Sequence, residues 1–517
     1  MNHTEQWIWL PSEAYPHNRT TIYSGFLNHS EGNFTVAQFQ RTYAFSKVVT
    51  RAELRFSGDT LFRLWCNGDL IATGPACVGG DFRGNETVRN NYYAFETVLV
   101  PSSDTLSFFA EVRMMPTQIC DYSRGHGGFM LSAILTFEDG TAETLVTDES
   151  WLVRRNGGYL PPTGYDGRIR PDAFTRAQVT ENIWNTETAP IPLRVERELR
   201  PAESVIILAP HEKRETVIEF DKIWAGFVHA SAQAAGDIFA EIYCRELTEG
   251  GSREVVILAG DDEYRGFYMH SAGNLRVVAE NRGDTPATLT VSFIETHYPV
   301  TEIAEVTTDD PSLNAVLETC RHTLKICRQT HHLDSPRHCE PLACTGDYHI
   351  ESLMTLFSYG DMRLAEFDVV RTAILLEDHD GRMFHTTYSL IWVGMLWDTY
   401  MATGNRSLLE RCRKGLELLL NRFSTYVGRN GLIETPPDYM FVDWLFIDGI
   451  SLHHPPKALG QGVLNLFYFG ALESAAKIFD ELGCARAAAD CRDRRAALRE
   501  AVNRELYDPE QKCIARD

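Results

Sequence analysis

The chain has 517 residues, a formal net charge of −22 and a pI near 5.2, and 44% of its residues are hydrophobic. One core does not grow much beyond about 250–300 residues, so more than one domain is expected. The acidic balance and the lack of Lys/Arg runs exclude nucleic acid and anionic membrane as partners. No stretch of about 18 uncharged apolar residues occurs, so no membrane span is expected. The N-terminus has neither a basic start nor an apolar core, so no cleaved signal peptide is expected. The 12 cysteines are scattered, several inside helical patterns (Cys320, Cys327, Cys412), which suits buried thiols of a reduced, cytoplasmic protein. No CxxC motif occurs, and the pairs His331-His332 and His453-His454 put neighbouring rings on different faces. No metal or cofactor is therefore expected.

To about residue 300 the pattern is β. Alternating runs recur at Ala52–Ser57, Leu61–Cys66 and Leu131–Phe137, punctuated by Asn67-Gly68 and Asp139-Gly140, dipeptides that suit tight hairpins. Tyr159 to Pro192, rich in Gly, Pro, Thr and Asp, reads as a long connection. A second β block holds Glu215–Phe220, Ile238–Tyr243, Leu275–Ala279 and Ala287–Phe293. Such runs predict antiparallel β-sandwiches. The expected domains are 1–195, 196–300 and 301–517.

After Asp309 the period becomes helical. Asp310-Pro311 is a cap followed by proline in the first turn, and Leu313, Val316, Leu317, Cys320, Leu324 and Cys327 share one face. Further helices are predicted at 346–359, 362–377, 388–402, 406–426, 461–482 and 485–505, joined as antiparallel hairpins. The chain is thus multidomain, all-β followed by all-α.

The loops between helices carry the unusual residues. Asp334 to Asp347 gathers Asp334, Glu340 and Asp347 with Pro336 and Pro341, which forbid regular helix. Glu434 to Trp444 adds Asp438, Asp443 and Trp444, and between them in sequence lie Tyr388, Trp392, Trp397 and Tyr400. Aromatics of this kind are core residues or a platform for sugar rings, and the carboxylates suit sugar hydroxyls. Glycoside hydrolysis needs one protonated and one ionised carboxyl, and a third carboxylate nearby keeps the acid protonated.

The spacing Asp334-x5-Glu340-x6-Asp347, closed by Thr345-Gly346-Asp347, resembles the catalytic motif of α-L-rhamnosidases, glycoside hydrolase family 78. Tyr348–Leu353, Ser389–Trp392, Trp397–Asn405, Phe441–Trp444, Gln461–Asn465 and Ala471-Leu472 follow in matching order. Trp65–Gly68, Gly74-Pro75 and Tyr165–Arg168 look like that family's accessory β-sandwiches. The resemblance implies an (α/α)6 barrel, here incomplete, and an inverting hydrolase with a rhamnoside as carbohydrate substrate. It makes Glu340 the general acid, with Asp334 and Asp347 holding the sugar and Asp443 and Trp444 lining the pocket. Trp392 and His338 are counted with the substrate-binding residues. His338, Pro341 and Cys344 depart from the family pattern, which has Arg, Arg and Trp there. No residue matches the family's general base, so the chain is expected to be C-terminally truncated unless Glu434 or Asp438 substitutes. A homodimer is left open. The alternatives are a hydrolase of another deoxysugar or uronide, and a non-catalytic carbohydrate-binding protein.

Overall fold

The computed structural model describes residues 5–11, 19–24, 27–75, 91–114, 127–161, 163–247, 251–303, 305–337, 344–434, 436–438, 441, 445–447, 450–452 and 461–514. A large β region comes first and seven α-helices follow among these residues.

The first sheet is built on one strand, Thr35–Asp59, 25 residues long. Its first half pairs with Ser103–Met114 and with Leu152–Arg155, its second half with Gly128–Phe137 and Asn91–Leu99. Register slips near Val49 mark the change of partner. The hairpin Leu61–Cys66/Asp69–Pro75 turns at Asn67 and Gly68, both with positive φ (52° and 91°), as the Asn-Gly signal predicts. The second sheet centres on Lys213–Gln233, flanked by His270–Asn281 and Ala287–His297. Asp237–Arg245 alternates strictly, Ile238, Ala240, Ile242 and Cys244 facing the core.

The run from Tyr159 to Pro192 is more than a connection. It contributes the short strands Tyr165–Asp166, Thr175–Arg176, Gln178–Val179 and Asn185–Thr188. The first of these pairs with Ser252–Ala259 of the second sheet and the others with the first sheet. Two-residue strands between Gly and Pro carry no visible alternation, which is why sequence pattern does not find them.

The helices are α1 (Pro311–Cys327), α2 (Thr345–Ser358), α3 (Arg363–Asp378), α4 (Thr386–Thr403), α5 (Arg406–Ser424), α6 (Gln461–Glu481) and α7 (Ala485–Glu505). Asp310 caps α1, its carboxylate accepting from Ser312 N at 2.8 Å with Pro311 next in line. The packing is two rows: α4 lies against α2 and α6, while α3 packs on α5. Inner helix α4 is buried on nearly all sides through its first three turns, and α5 buries one stripe (Leu408, Leu409, Cys412, Leu416, Leu419, Leu420, Phe423). The apolar face expected on α1 is covered only at its C-terminal end. Leu324, Ile326 and Cys327 are buried, whereas Leu313 and Val316 are exposed. Ile350, Leu353, Met354 and Phe357 of α2 are exposed as well.

These two environments give opposite mutational outcomes. Trp392→Ala, at a fully buried site, is expected to cost about 3–5 kcal/mol in urea unfolding. Phe357→Ser, at a site 72% exposed, is expected to stay within about 0.5 kcal/mol of the parent.

Candidate active site

Helix α4 packs against α2 and α6, and the N-termini of α2 and α4 meet. Contacts among those N-termini fix the arrangement. The Thr345 hydroxyl at the start of α2 donates to the Tyr388 carbonyl of α4 at 2.6 Å, and the Thr387 hydroxyl donates to the Phe441 carbonyl. Tyr388, His385 and Phe441 form one ring cluster, with His385 and Phe441 centroids 4.4 Å apart. Gly346 is required here, since a Cβ would fall 2.7 Å from the Tyr388 ring.

The segment leading into Asp334 is clamped from three sides. Tyr298 N donates to the Arg328 carbonyl (2.7 Å), and the Gln329 amide donates to the Thr296 carbonyl (2.7 Å), tying it to the second sheet. Asp368 of α3 accepts from the His332 ring (Nδ1, 2.7 Å) and from the His332 backbone N (3.2 Å), with both side chains fully buried. Burial pushes the His332 pKa down against the pull of Asp368, so Nδ1 is the proton-bearing nitrogen of a neutral ring. The buried Arg328 guanidinium lies over the Tyr298 and Tyr359 rings.

Four carboxyl groups gather above this floor. Asp334 and Asp347 are half-buried, and Asp368 is buried. Glu351, four residues after Asp347 on α2 and hence on the same face, is also buried. Burial holds the Glu351 carboxyl well above the ordinary carboxylate range, and the charges of Asp347, Asp368 and Asp334 push the same way, with Arg328 opposing. Its Oε2 has no hydrogen-bond partner. The Cys327 thiol, buried beside the Asp334 carbonyl (4.0 Å), is pushed up by burial and then by Glu351, Asp334 and Glu246. Among the described residues no group of three His, Cys, Asp or Glu is arranged to hold a metal ion. The cluster can keep one carboxyl protonated beside ionised neighbours, and can accept hydrogen bonds from a hydroxylated ligand.

Of the residues singled out in the sequence, Asp334 and Asp347 meet in this cluster. Glu340, His338, Asp443 and Trp444 lie outside the described residues. Arg337 and Cys344 bound the Glu340 segment, and Phe441 stands two residues before Asp443. Trp392 is a correction: its ring is fully buried and its N–H donates to the Val369 carbonyl at 3.0 Å, so it packs α4 on α3 and offers no face to a sugar. Trp397 and Tyr400 are also away from the cluster, about 13 Å or more along α4 from Tyr388, with the Tyr400 hydroxyl on Glu481 (3.0 Å). Asp438 is committed to an ion pair, accepting from Arg422 at 3.0 and 3.1 Å and from the Tyr426 hydroxyl. Glu351 and Asp368 were not given roles from the sequence. The i, i+4 step from Asp347 was the available signal for Glu351; nothing local marks Asp368.

Residues 301–517 match the family described as the bacterial alpha-L-rhamnosidase 6 hairpin glycosidase domain. The chain resembles the α-L-rhamnosidases of glycoside hydrolase family 78. An alpha-L-rhamnosidase from Alteromonas sp. (strain LOR) is 20% identical over 94% of this chain, which spans 58% of that relative's length. The fold is similar to that of the GH78 rhamnosidase of Bacillus sp. GL1, with TM-score 0.76, 15% identity, and 99% of this chain and 78% of the other covered. It is also similar to the alpha-L-rhamnosidase from Dictyoglumus thermophilum, with TM-score 0.71, 14% identity, and 98% and 60% covered.

A Glu351 carboxyl that binds its proton more tightly folded than unfolded stabilises the fold fully at acid pH and loses that contribution as pH rises. Glu351→Gln, which keeps the neutral shape, is expected to raise the unfolding midpoint at pH 8. The gain should vanish near pH 4, around the ordinary Glu value of about 4.3. Denaturant titrations at the two pH values check this.

Proposed function

We propose that this chain carries the acid side of an inverting glycoside hydrolase that releases terminal α-L-rhamnose from glycosides or polysaccharides. Glu340 is the general acid that protonates the leaving oxygen. Asp334 and Asp347 accept hydrogen bonds from the sugar hydroxyls, and Asp443 and Trp444 line the same pocket. Water attacks the anomeric carbon directly, which requires roughly 6.5–9.5 Å between acid and base carboxyls. The observation that carries this reading is the gathering of Asp334, Asp347, Glu351 and Asp368 on a clamped, buried floor. The Glu340-bearing loop joins the two halves of that cluster in sequence. Carboxylates packed this way keep a nearby acid protonated near neutral pH, the state a general acid needs.

The helices form part of an (α/α)6 barrel in this reading. Its support is the two-row packing of the helices. No described residue is assigned as the general base in this reading. The Arg422–Asp438 ion pair speaks against Asp438 in that role.

The test is hydrolysis of p-nitrophenyl α-L-rhamnoside by the protein, with Glu340→Gln beside it. The variant is expected to lose about 10²–10⁴-fold in kcat. Unchanged turnover in Glu340→Gln would remove the assignment.

A further inference from the structure

The second sheet carries a hydrogen-bonded chain of three side chains that takes no part in the carboxyl cluster. Ser252 and Glu254 stand two apart on the strand Ser252–Ala259, so both project to the same face. His270 opens the strand His270–Asn281, and Asp237–Arg245 lies between these two strands in the sheet. The His270 ring nevertheless bridges them, Nε2 to Glu254 Oε1 at 2.7 Å and Nδ1 to Ser252 Oγ at 2.5 Å. Gly266 leaves room for the carboxylate; a Cβ there would sit 2.9 Å from Glu254 Oε1.

The carboxylate sets the direction of the chain. It only accepts, so Nε2 carries the imidazole proton and Nδ1 turns its lone pair to the Ser252 hydroxyl. A hydroxyl donating to a neutral imidazole, which a carboxylate orients from behind, is a nucleophile beside its general base. Burial is graded the same way: Glu254 and His270 are sealed, whereas Ser252 is half-buried. Sealing a carboxylate to hold one ring costs solvation, an outlay expected at a functional site.

Ser252 opens on a cavity of ≈130 Å³, room for about four waters. Cys244 and Met269 give it an apolar side, Glu246 and Arg337 a polar one. Arg337 is held loosely, 3.9 Å from Glu246 and half-exposed. Its guanidinium can therefore turn to an oxygen that becomes anionic inside the cavity. Glu246, which accepts from the Ser271 hydroxyl at 2.5 Å, disfavours an anionic substrate. The space suits an acetyl group and excludes a long acyl chain.

We propose that Ser252, His270 and Glu254 form a second catalytic site, which hydrolyses short-chain acyl esters, such as O-acetyl groups, of neutral hydroxylated compounds. Ser252 Oγ adds to the ester carbonyl carbon as its proton passes to His270 Nδ1, and Glu254 steadies the imidazolium. Arg337 supplies the charge that meets the oxyanion. The C–O bond to the alcohol breaks, the alcohol oxygen takes the proton from Nδ1, and the acyl group stays on Ser252. Water then adds to the acyl carbon and gives a proton to Nδ1; the bond to Ser252 breaks as Oγ recovers that proton. The products are one alcohol and one carboxylic acid. This site is independent of the rhamnoside reading, and either can fail without the other.

The protein is treated with a fluorophosphonate probe and digested, and the modified peptide is identified by mass spectrometry. The label is expected on Ser252. p-Nitrophenyl acetate is expected to turn over about 10-fold better in kcat/KM than p-nitrophenyl octanoate, whose chain overfills the cavity. Ser252→Ala should lose the label and fall to the buffer rate while keeping the parent's urea midpoint. His270→Gln, which lacks the base, should lose about 10²–10⁴-fold in kcat. A label elsewhere or nowhere, or acetate turnover that survives Ser252→Ala, overturns the proposal. Labelling of Ser252 without turnover of the acetate overturns it too, because the serine is then reactive and no hydrolase. Octanoate turned over as well as acetate overturns the short-chain assignment.

Discussion

The buried His332–Asp368 pair is the contact on which the site depends. It is formed with no solvent access to either side chain, so losing one partner strands the other in a low-dielectric interior. That makes it an anchor for the turn from Arg328 to Leu333, which is closed by the Arg328–His332 bridge and fixed to α3 through His332. On the other side its Arg328 carbonyl accepts from Tyr298 N and its Gln329 side chain donates to the Thr296 carbonyl, at the end of the second sheet. Asp334 therefore emerges at a height fixed by both the β region and the helices. The carboxyl cluster belongs to a junction, and neither half of the chain defines it alone.

The same junction explains why charge is concentrated there. Asp334, Asp347, Glu351 and Asp368 come from a loop, two turns of α2 and the middle of α3. Bringing them together costs solvation and mutual repulsion, offset in part by Arg328 and by protonation at Glu351. An assembly with that cost is expected at a functional site and is hard to rationalise as scaffold.

Much of the fold was legible in the sequence because its signals are local. The helices begin and end within a few residues of the predicted bounds, since Asp310-Pro311 and the 3.6-residue period act over single turns. Asn67-Gly68 turns as its dipeptide requires. What failed was orientation. Trp392 and Tyr388 are four apart on α4, yet one is sealed against α3 and the other packs over Gly346. A helix that is apolar on most sides gives no stripe by which to tell a core ring from a pocket ring. Asp368 was unreadable for a different reason: its partner His332 is 36 residues away, and only the fold joins them. The family's motif, by contrast, is a spacing within fourteen residues, which survives in one sequence without any structure.

Whether the junction keeps a carboxylic acid neutral at physiological pH is read most directly by infrared difference spectroscopy of the parent protein against Glu351→Gln at pH 7. The desolvated, mutually repelling cluster predicts that the difference spectrum contains one protonated-carboxyl C=O stretch and no matching carboxylate bands. A pair of carboxylate bands with no carbonyl stretch would contradict it.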